Sequence, residues 1–283
     1  MTLEGVGERY VEVDGVRMRL LDWGGDGPLV FCVHANGYLA AMWHPIAREL
    51  TAESRVVGVD LPGHGESEPA PDYRWDHLSE YVAGGLRALD LGPALLVGHS
   101  IGGTLSGLCA ARYPELARAL VLADPVVLPE PFYHHPEGVP SDLYGTKKRR
   151  RSWPSREAMR ESLASKPAYA CWRPEMLALF VEEGTRASED GIALKCSPET
   201  EAEIYRLTLA YNVWPELARA EAPAIVLRGL SPERLPSVTA LELAGWLPQA
   251  EDRPLAEASH LLPMECPGEV VLAVRDLLSG LSS

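Results

Sequence analysis

Gly98-His99-Ser100-Ile101-Gly102 carries the clearest chemical potential in the chain: a serine with a glycine two positions away on either side. The apolar run Ala94-Leu95-Leu96-Val97 precedes it, and a small-residue stretch containing Gly103, Ser106, Gly107 and Ala110 follows. That succession predicts a buried strand, a tight turn and a helix. The bend is cramped, so the flanking positions must lack bulk, and the hydroxyl then projects above the sheet edge. The first N–H groups of the following helix lack intrahelical partners and can face the oxyanion formed when a hydroxyl adds to a carbonyl. The expectation is a nucleophilic Ser100; the bland alternative is a Gly-Ser turn with no chemistry.

Short β-branched runs alternating with longer helical stretches supply the frame for such a turn. Arg9 to Val13 and Arg17 to Trp23 flank Asp14-Gly15, a strong hairpin signal, and should form an antiparallel edge. Leu29 to Val33, Arg55 to Val59, Ala94 to Val97, Ala119 to Leu122 and Ala224 to Leu227 are continuous apolar runs, the pattern of strands covered on both faces. Helices are predicted over Trp43 to Leu50, Trp75 to Leu89 and from Ile101 onward, with an amphipathic closing helix marked by Val270, Val274, Leu277 and Leu281. The fold class is therefore α/β, a mostly parallel sheet with helices on both faces.

The rhythm breaks at Val126, and up to about Asn212 the chain is aromatic and helix-rich, with helix starts marked by Trp153-Pro154-Ser155 and Ser197-Pro198-Glu199. The expected organisation is a core domain of residues 1–124 and 214–283 and an inserted helical cap of residues 125–213, seated at the C-terminal edge of the sheet. A separately folded domain is the less favoured alternative, because the insert is short and lacks a strand set of its own. Trp153, Trp172, Trp214, Tyr169 and Tyr211 either line an apolar pocket beneath this cap or form its core.

Composition narrows the possible partners. The 283 residues are 46% hydrophobic and 23% charged, which suits one large or two small globular domains. A net charge of −14 repels phosphate backbones and anionic membranes, so neither nucleic acid nor a membrane surface is an expected partner. The basic run Lys147-Lys148-Arg149-Arg150-Arg151 is the local exception and reads as a solvated charge run. No apolar run is long enough to span a bilayer, and the first residues carry no secretory pattern. Five scattered cysteines without a C-x-x-C pair argue against a disulfide framework or a zinc site and fit a reducing, cytoplasmic setting. No metal and no cofactor are expected.

With these elements in place the chain resembles the α/β-hydrolase fold superfamily, in its serine esterase or lipase-like branch, over nearly its whole length. The likeness rests on the serine turn together with Val33-His34-Ala35-Asn36-Gly37, Asp60-Leu61-Pro62-Gly63-His64-Gly65-Glu66-Ser67 and Ser259-His260-Leu261-Leu262-Pro263-Met264-Glu265, in the family's order. It implies an eight-stranded sheet with a cap. It also implies His260 as the base, lying between a final strand over Glu251 to Glu257 and the closing helix. An imidazole with its usual pKa of about 6.5 can take the hydroxyl proton and return it to a leaving group. His34, His64 and His99 belong to loop motifs whose histidines are structural, and His134-His135 has no third ligand spaced for a metal.

The resemblance places the acid after the seventh strand, where Glu233 stands in Leu230-Ser231-Pro232-Glu233; that segment is also a helix-start signature in which the acid only complements the dipole. Asp124, at the end of the sixth strand, is the alternative. The oxyanion hole is expected from the backbone N–H groups of Asn36 and Ile101, with Ala35 departing from the family's usual glycine and the Asn36 side-chain amide as a further donor. These roles imply a serine hydrolase of small or medium apolar carboxylic esters, working through an acyl-enzyme on a small-molecule ester. The same triad serves carbon–carbon bond hydrolysis, lactone opening or perhydrolysis. A ligand-binding homologue without turnover is the reading from another class, and oligomeric state stays open.

Overall fold

In the computed structural model, which describes residues 3–133, 138–139, 145–231, 237, 239 and 241–281, the first turn takes the form its sequence dictates. Asp14 and Gly15 both adopt positive φ, 48° and 76°, and join β1 (Gly7–Val13) to β2 (Val16–Gly24) as an antiparallel hairpin. The chain continues through β3 (Leu29–Val33), α1 (His44–Leu50), β4 (Arg55–Val59), α2 (Trp75–Leu89), β5 (Ala94–His99), α3 (Ile101–Arg112) and β6 (Ala117–Ala123). After the intervening segment come α7 (Trp214–Leu217), β10 (Ala224–Gly229), α8 (Leu243–Trp246), β11 (Ala250–Leu255), α9 (Leu262–Glu265) and α10 (Pro267–Leu281). The intervening segment holds β7 (Ser152–Trp153), α4 (Arg156–Ala164), α5 (Pro174–Glu183), β8 (Thr185–Ser188), β9 (Gly191–Leu194) and α6 (Pro198–Arg206).

Eight strands form one sheet in the order β1-β2-β4-β3-β5-β6-β10-β11. β2 runs antiparallel to β4, and every pairing from β4 through β11 is parallel. The α/β architecture and mostly parallel sheet expected from the apolar runs are present. Strand alternation divides the core between two faces. Phe31, Val33, Val57 and Leu96 meet α2 and α3 through Leu78, Val82, Leu86, Leu105 and Leu108. Val30, Cys32, Val56, Leu95, Val97 and Val121 meet α1 and α10 through Ile46, Leu50, Val270 and Val274.

Residues between β6 and α7 contain a three-stranded antiparallel sheet, β7-β9-β8, which corrects the expectation that this segment has no strands of its own. Strands of two to four residues are too short to show a period of two. The signal that survives in the sequence is Asp190-Gly191, with Gly191 at φ 123° where the hairpin closes against the Trp153 and Pro154 carbonyls. Ser155 and Ser197 cap α4 and α6 as their sequences indicate, accepting from the Ala158 and Thr200 N–H groups. Trp153, Met159, Leu163, Trp172, Met176 and Phe180 then pack on Leu39, Met42, Leu261 and Met264, tying this segment to loops at the C-terminal edge of the main sheet.

The approach of α3 to the sheet depends on missing side chains. A Cβ on Gly102 would sit 2.2 Å from the Val33 carbonyl oxygen, and one on Gly98 would sit 2.3 Å from that of Gly102. Gly102→Ala should therefore destabilise the protein by about 2–3 kcal/mol in urea unfolding. Gly268→Ala, where a Cβ meets open space in α10, should be neutral or stabilising by about 0.5 kcal/mol. Equal effects of the two substitutions would contradict this packing.

Candidate active site

Ser100 sits between β5 and α3 at φ 57°, ψ −123°, a backbone region that a non-glycine residue occupies only under strain. The bend is held on both sides: the Ser100 N–H donates to the Ala123 carbonyl (3.0 Å), and the Ser100 carbonyl accepts from the N–H groups of Gly103 (3.0 Å) and Val126 (3.2 Å). The hydroxyl is directed at His260, whose Nε2 lies 2.9 Å from Ser100 Oγ. On the other side of the ring, His260 Nδ1 lies 2.8 Å from Asp124 Oδ1. The structure thus joins the two expected residues Ser100 and His260 and adds Asp124 as the carboxylate facing the imidazole.

Asp124 directly follows β6, next to the strand that carries the serine, and takes φ 47°. Its Oδ2 accepts from the Gly229 N–H (2.7 Å) and its Oδ1 from the Ser237 hydroxyl (2.9 Å). Burial works to raise its pKa, but the hydrogen bond and charge of His260, with those from Gly229 and Ser237, outweigh it and leave the carboxyl below its ordinary value. An ionised Asp124 selects the tautomer with hydrogen on Nδ1, which leaves Nε2 free to accept the serine proton. Glu233, the first expectation for the acid, lies outside the described residues, as do His134 and His135. The position it was expected to fill at the imidazole is held by Asp124.

The turn that presents His260 is fastened at three points: Glu265 and the Ser259 hydroxyl, to which the residues alone assigned no role, and His99, expected to be structural. Glu265 accepts from the Ser259 N–H (2.8 Å) and hydroxyl (2.6 Å), the Ser259 hydroxyl accepts from the Leu261 N–H (3.1 Å), and the His99 Nε2–H donates to the His260 carbonyl (2.8 Å). Spacing was the available signal, because a carboxylate at the end of the short helix α9, six residues beyond Ser259, can fold back on the turn that precedes the helix.

Asn36, in the loop after β3, and Ile101, the first residue of α3, flank the serine, and among the described residues neither backbone N–H donates to a protein acceptor. The Asn36 side-chain amide, weighed as a further donor, spends one of its two N–H groups on the Glu201 carbonyl at 3.0 Å. His34 and His64 brace this loop as neutral rings. Each has Nδ1 against a carbonyl, Ala35 for His34 and Pro62 for His64, and each offers Nε2 to a backbone N–H, that of Leu61 (2.9 Å) and that of Gly37 (3.0 Å) respectively. Burial pushes His34 down to about 4 and both His64 and His99 down to about 3.

The aromatic residues proposed for a pocket are largely packing groups. Trp214 is buried in the core with its indole N–H on the Leu128 carbonyl, Tyr211 hydrogen-bonds Glu216, and Trp153 and Trp172 belong to the cluster against Leu39 and Leu261, with Tyr169 packed beside it. Among the described residues no group of three His, Cys, Asp or Glu side chains could hold a metal ion, and no helix is long and apolar enough to cross a membrane.

A family model described as alpha/beta hydrolase fold matches residues 28–267, a span that includes Ser100, Asp124 and His260. The chain belongs to the α/β hydrolase fold family. Within this family it is similar to 2-hydroxymuconate semialdehyde hydrolase of Pseudomonas sp. CF600, 26% identical over 289 residues, covering 96% of this chain and 93% of that protein. It is also 37% identical over 117 residues to 2-(acetamidomethylene)succinate hydrolase of Mesorhizobium japonicum, a stretch covering 41% of this chain and 42% of that relative's length. The crystal structure of E-2-(acetamidomethylene)succinate hydrolase matches with a TM-score of 0.81 at 23% identity, covering 97% of this chain and 99% of that one, a likeness of fold. The α/β hydrolase fold and the superfamily membership read from the four motifs therefore stand.

The three buried imidazoles make a measurable contribution to pH dependence. With folded pKa values of about 4, 3 and 3, His34, His64 and His99 stay neutral while the unfolded chain takes up their protons below about pH 6.5. Stability is then full above that pH and falls on acidification, with a slope approaching about 4 kcal/mol per pH unit near pH 5 if all three contribute. Chemical denaturation at pH 7, 6 and 5 should show this decline; equal stabilities at the three values would contradict the neutral, hydrogen-bonded assignment.

Proposed function

We propose that this α/β hydrolase fold protein is a serine hydrolase in which Ser100, His260 and Asp124 act in relay, and that it cleaves a carbon–carbon bond beside a carbonyl in a small conjugated acid. The observation that carries the first part is the unbroken line of contacts from Ser100 Oγ to His260 Nε2 (2.9 Å) and from His260 Nδ1 to Asp124 Oδ1 (2.8 Å). His260 removes the Ser100 proton as the oxygen attacks the carbonyl carbon, and buried Asp124 stabilises the imidazolium that results. The N–H groups of Asn36 and Ile101 receive the oxyanion.

Collapse of the tetrahedral adduct breaks the bond to the leaving group, and His260 returns the proton to it. Water, deprotonated by the same imidazole, then attacks the acyl-enzyme and frees Ser100. When the leaving atom is carbon, its electron pair must be delocalised before the proton arrives, which a conjugated enol or dienol provides. The support for that class is the end-to-end relative named for 2-hydroxymuconate semialdehyde. That molecule has no ester or amide linkage, so its hydrolysis must break a carbon–carbon bond. Ester cleavage is the second reading, favoured by the serine relay itself, because His260 protonates an alkoxide as readily as a carbanion equivalent.

Turnover of 2-hydroxymuconate semialdehyde, followed by loss of its absorbance, beside p-nitrophenyl esters of graded chain length separates the two. A kcat/KM for the semialdehyde at least about 100-fold above the best ester is expected, and the reverse order would install ester cleavage. Ser100→Ala should abolish both activities, and Asp124→Asn should lower kcat by about 10³- to 10⁴-fold, whereas Glu233→Gln should stay within about threefold of the unsubstituted protein. A large loss in Glu233→Gln with Asp124→Asn unimpaired would return the acid to Glu233.

A further inference from the structure

The basic run Lys147 to Arg151 does not form a free cationic patch. Arg149 Nη1 meets Glu201 Oε2 at 2.5 Å, Arg151 pairs with Glu199, and the Arg150 guanidinium lies 5.3 Å from the centre of the Trp153 ring. These contacts lead to the first turns of α6, and from there to the loop that flanks Ser100. The Glu201 carbonyl accepts from Asn36 Nδ2, so the residue whose carboxylate holds Arg149 also holds the side chain of the expected oxyanion donor. The next residue, Gly37, lies against the ion pair itself. It has φ 78°, and a Cβ there would be 3.0 Å from the Glu201 carboxyl carbon and 3.4 Å from Arg149 Nη1.

Asn36 and Gly37 are therefore gripped from two sides. From the main sheet side, His64 Nε2 accepts the Gly37 N–H; from the α6 side, the Arg149–Glu201 pair and the Glu201 carbonyl close over it. Both charged side chains are largely withdrawn from water, at 23% and 9% exposure, so neither can exchange its partner for solvent without moving the backbone it rests on. The Arg151–Glu199 pair, by contrast, is exposed at 61% and 55%, touches no part of this loop in the contacts described, and has the small energetic weight of a surface pair.

We propose that the Arg149–Glu201 ion pair is a positioning device for the oxyanion hole, fixing the Asn36 N–H relative to Ser100 from a segment outside the main sheet. The inference rests on the serine-hydrolase reading above. Neither residue touches the reacting atoms; both act through the Asn36 side chain and Gly37, which hold Asn36 and with it the Ala35-Asn36 peptide that carries the donor N–H. Loss of the pair then moves a donor that is used only when negative charge develops on the carbonyl oxygen, so the transition state suffers more than ground-state binding does.

Steady-state kinetics with p-nitrophenyl butyrate, together with the affinity of a trifluoromethyl ketone whose Ser100 adduct puts an oxyanion in the hole, test this. Glu201→Gln and Arg149→Met should each lower kcat on the order of 10- to 100-fold with KM changed less than about threefold, and should weaken the ketone by the same factor as kcat. Arg151→Ala should leave all three within about twofold. If either single variant fails to show a cooperative melt, the double variant Arg149→Met/Glu201→Gln, which leaves no buried charge stranded, carries the test: kcat and ketone affinity reduced together by at least about fivefold. Unchanged kcat, a loss confined to KM, or a kcat loss without weakened ketone binding would overturn the proposal. Ser100→Ala distinguishes its failure from that of the parent reading. Activity surviving in Ser100→Ala removes the relay, whereas activity lost there but unmoved by Glu201→Gln removes only the positioning role.

Discussion

The strained bend at Ser100 is the constraint on which the rest of the site depends. A serine at φ 57°, ψ −123° costs conformational energy on the order of 1–3 kcal/mol. That conformation persists because the neighbouring strand β6 and the first turn of α3 hold its N–H and carbonyl. The same bend demands Gly98 and Gly102, since a Cβ at either would meet backbone at 2.2–2.3 Å. Strand, turn and helix are thus one mechanical unit, and the direction of the Ser100 hydroxyl follows from packing as well as from its hydrogen bond to His260.

From that bend the electrostatics are arranged by depth. Asp124 is fully buried and stays ionised because three kinds of partner, an imidazole, a backbone N–H and a hydroxyl, compensate its desolvation. His34, His64 and His99 are buried with no comparable anionic compensation and are neutral, which suits them to accept or donate single backbone bonds. His260 differs from them in facing a carboxylate on one side and a hydroxyl on the other. Chemistry and scaffolding are therefore assigned among four histidines by their neighbours.

Much of this was legible in the residues, and what was not has identifiable physical causes. Buried parallel strands read clearly because an unbroken run such as Leu29 to Val33 has few other uses, and Ser100 read clearly because its glycines leave a pattern only a tight bend requires. The short β7, β8 and β9 were missed, since strands held by two to four residues leave no period to detect. The choice between Glu233 and Asp124 could not be made from local sequence: what qualifies Asp124 is that β6 lies beside β5, a fact of strand order. The basic run was read as solvated because its acids, Glu199 and Glu201, are about fifty residues further along the chain, with |i−j| of 48 and 52.

Ser100 and Asp124 come from consecutive strands, but His260 reaches them from 160 and 136 residues away. Its turn follows β11, the edge strand beyond β10, so its place beside Ser100 depends on the pairing of β10 with β6 and of β11 with β10. His260 consequently follows both Ser100 and Asp124 in chain order and reaches them across two further strands. A sheet assembled only as far as β6 holds the bend and the carboxylate without the imidazole. On the serine-hydrolase reading, the hydroxyl therefore gains its proton acceptor only in a molecule whose sheet already extends through β10 and β11.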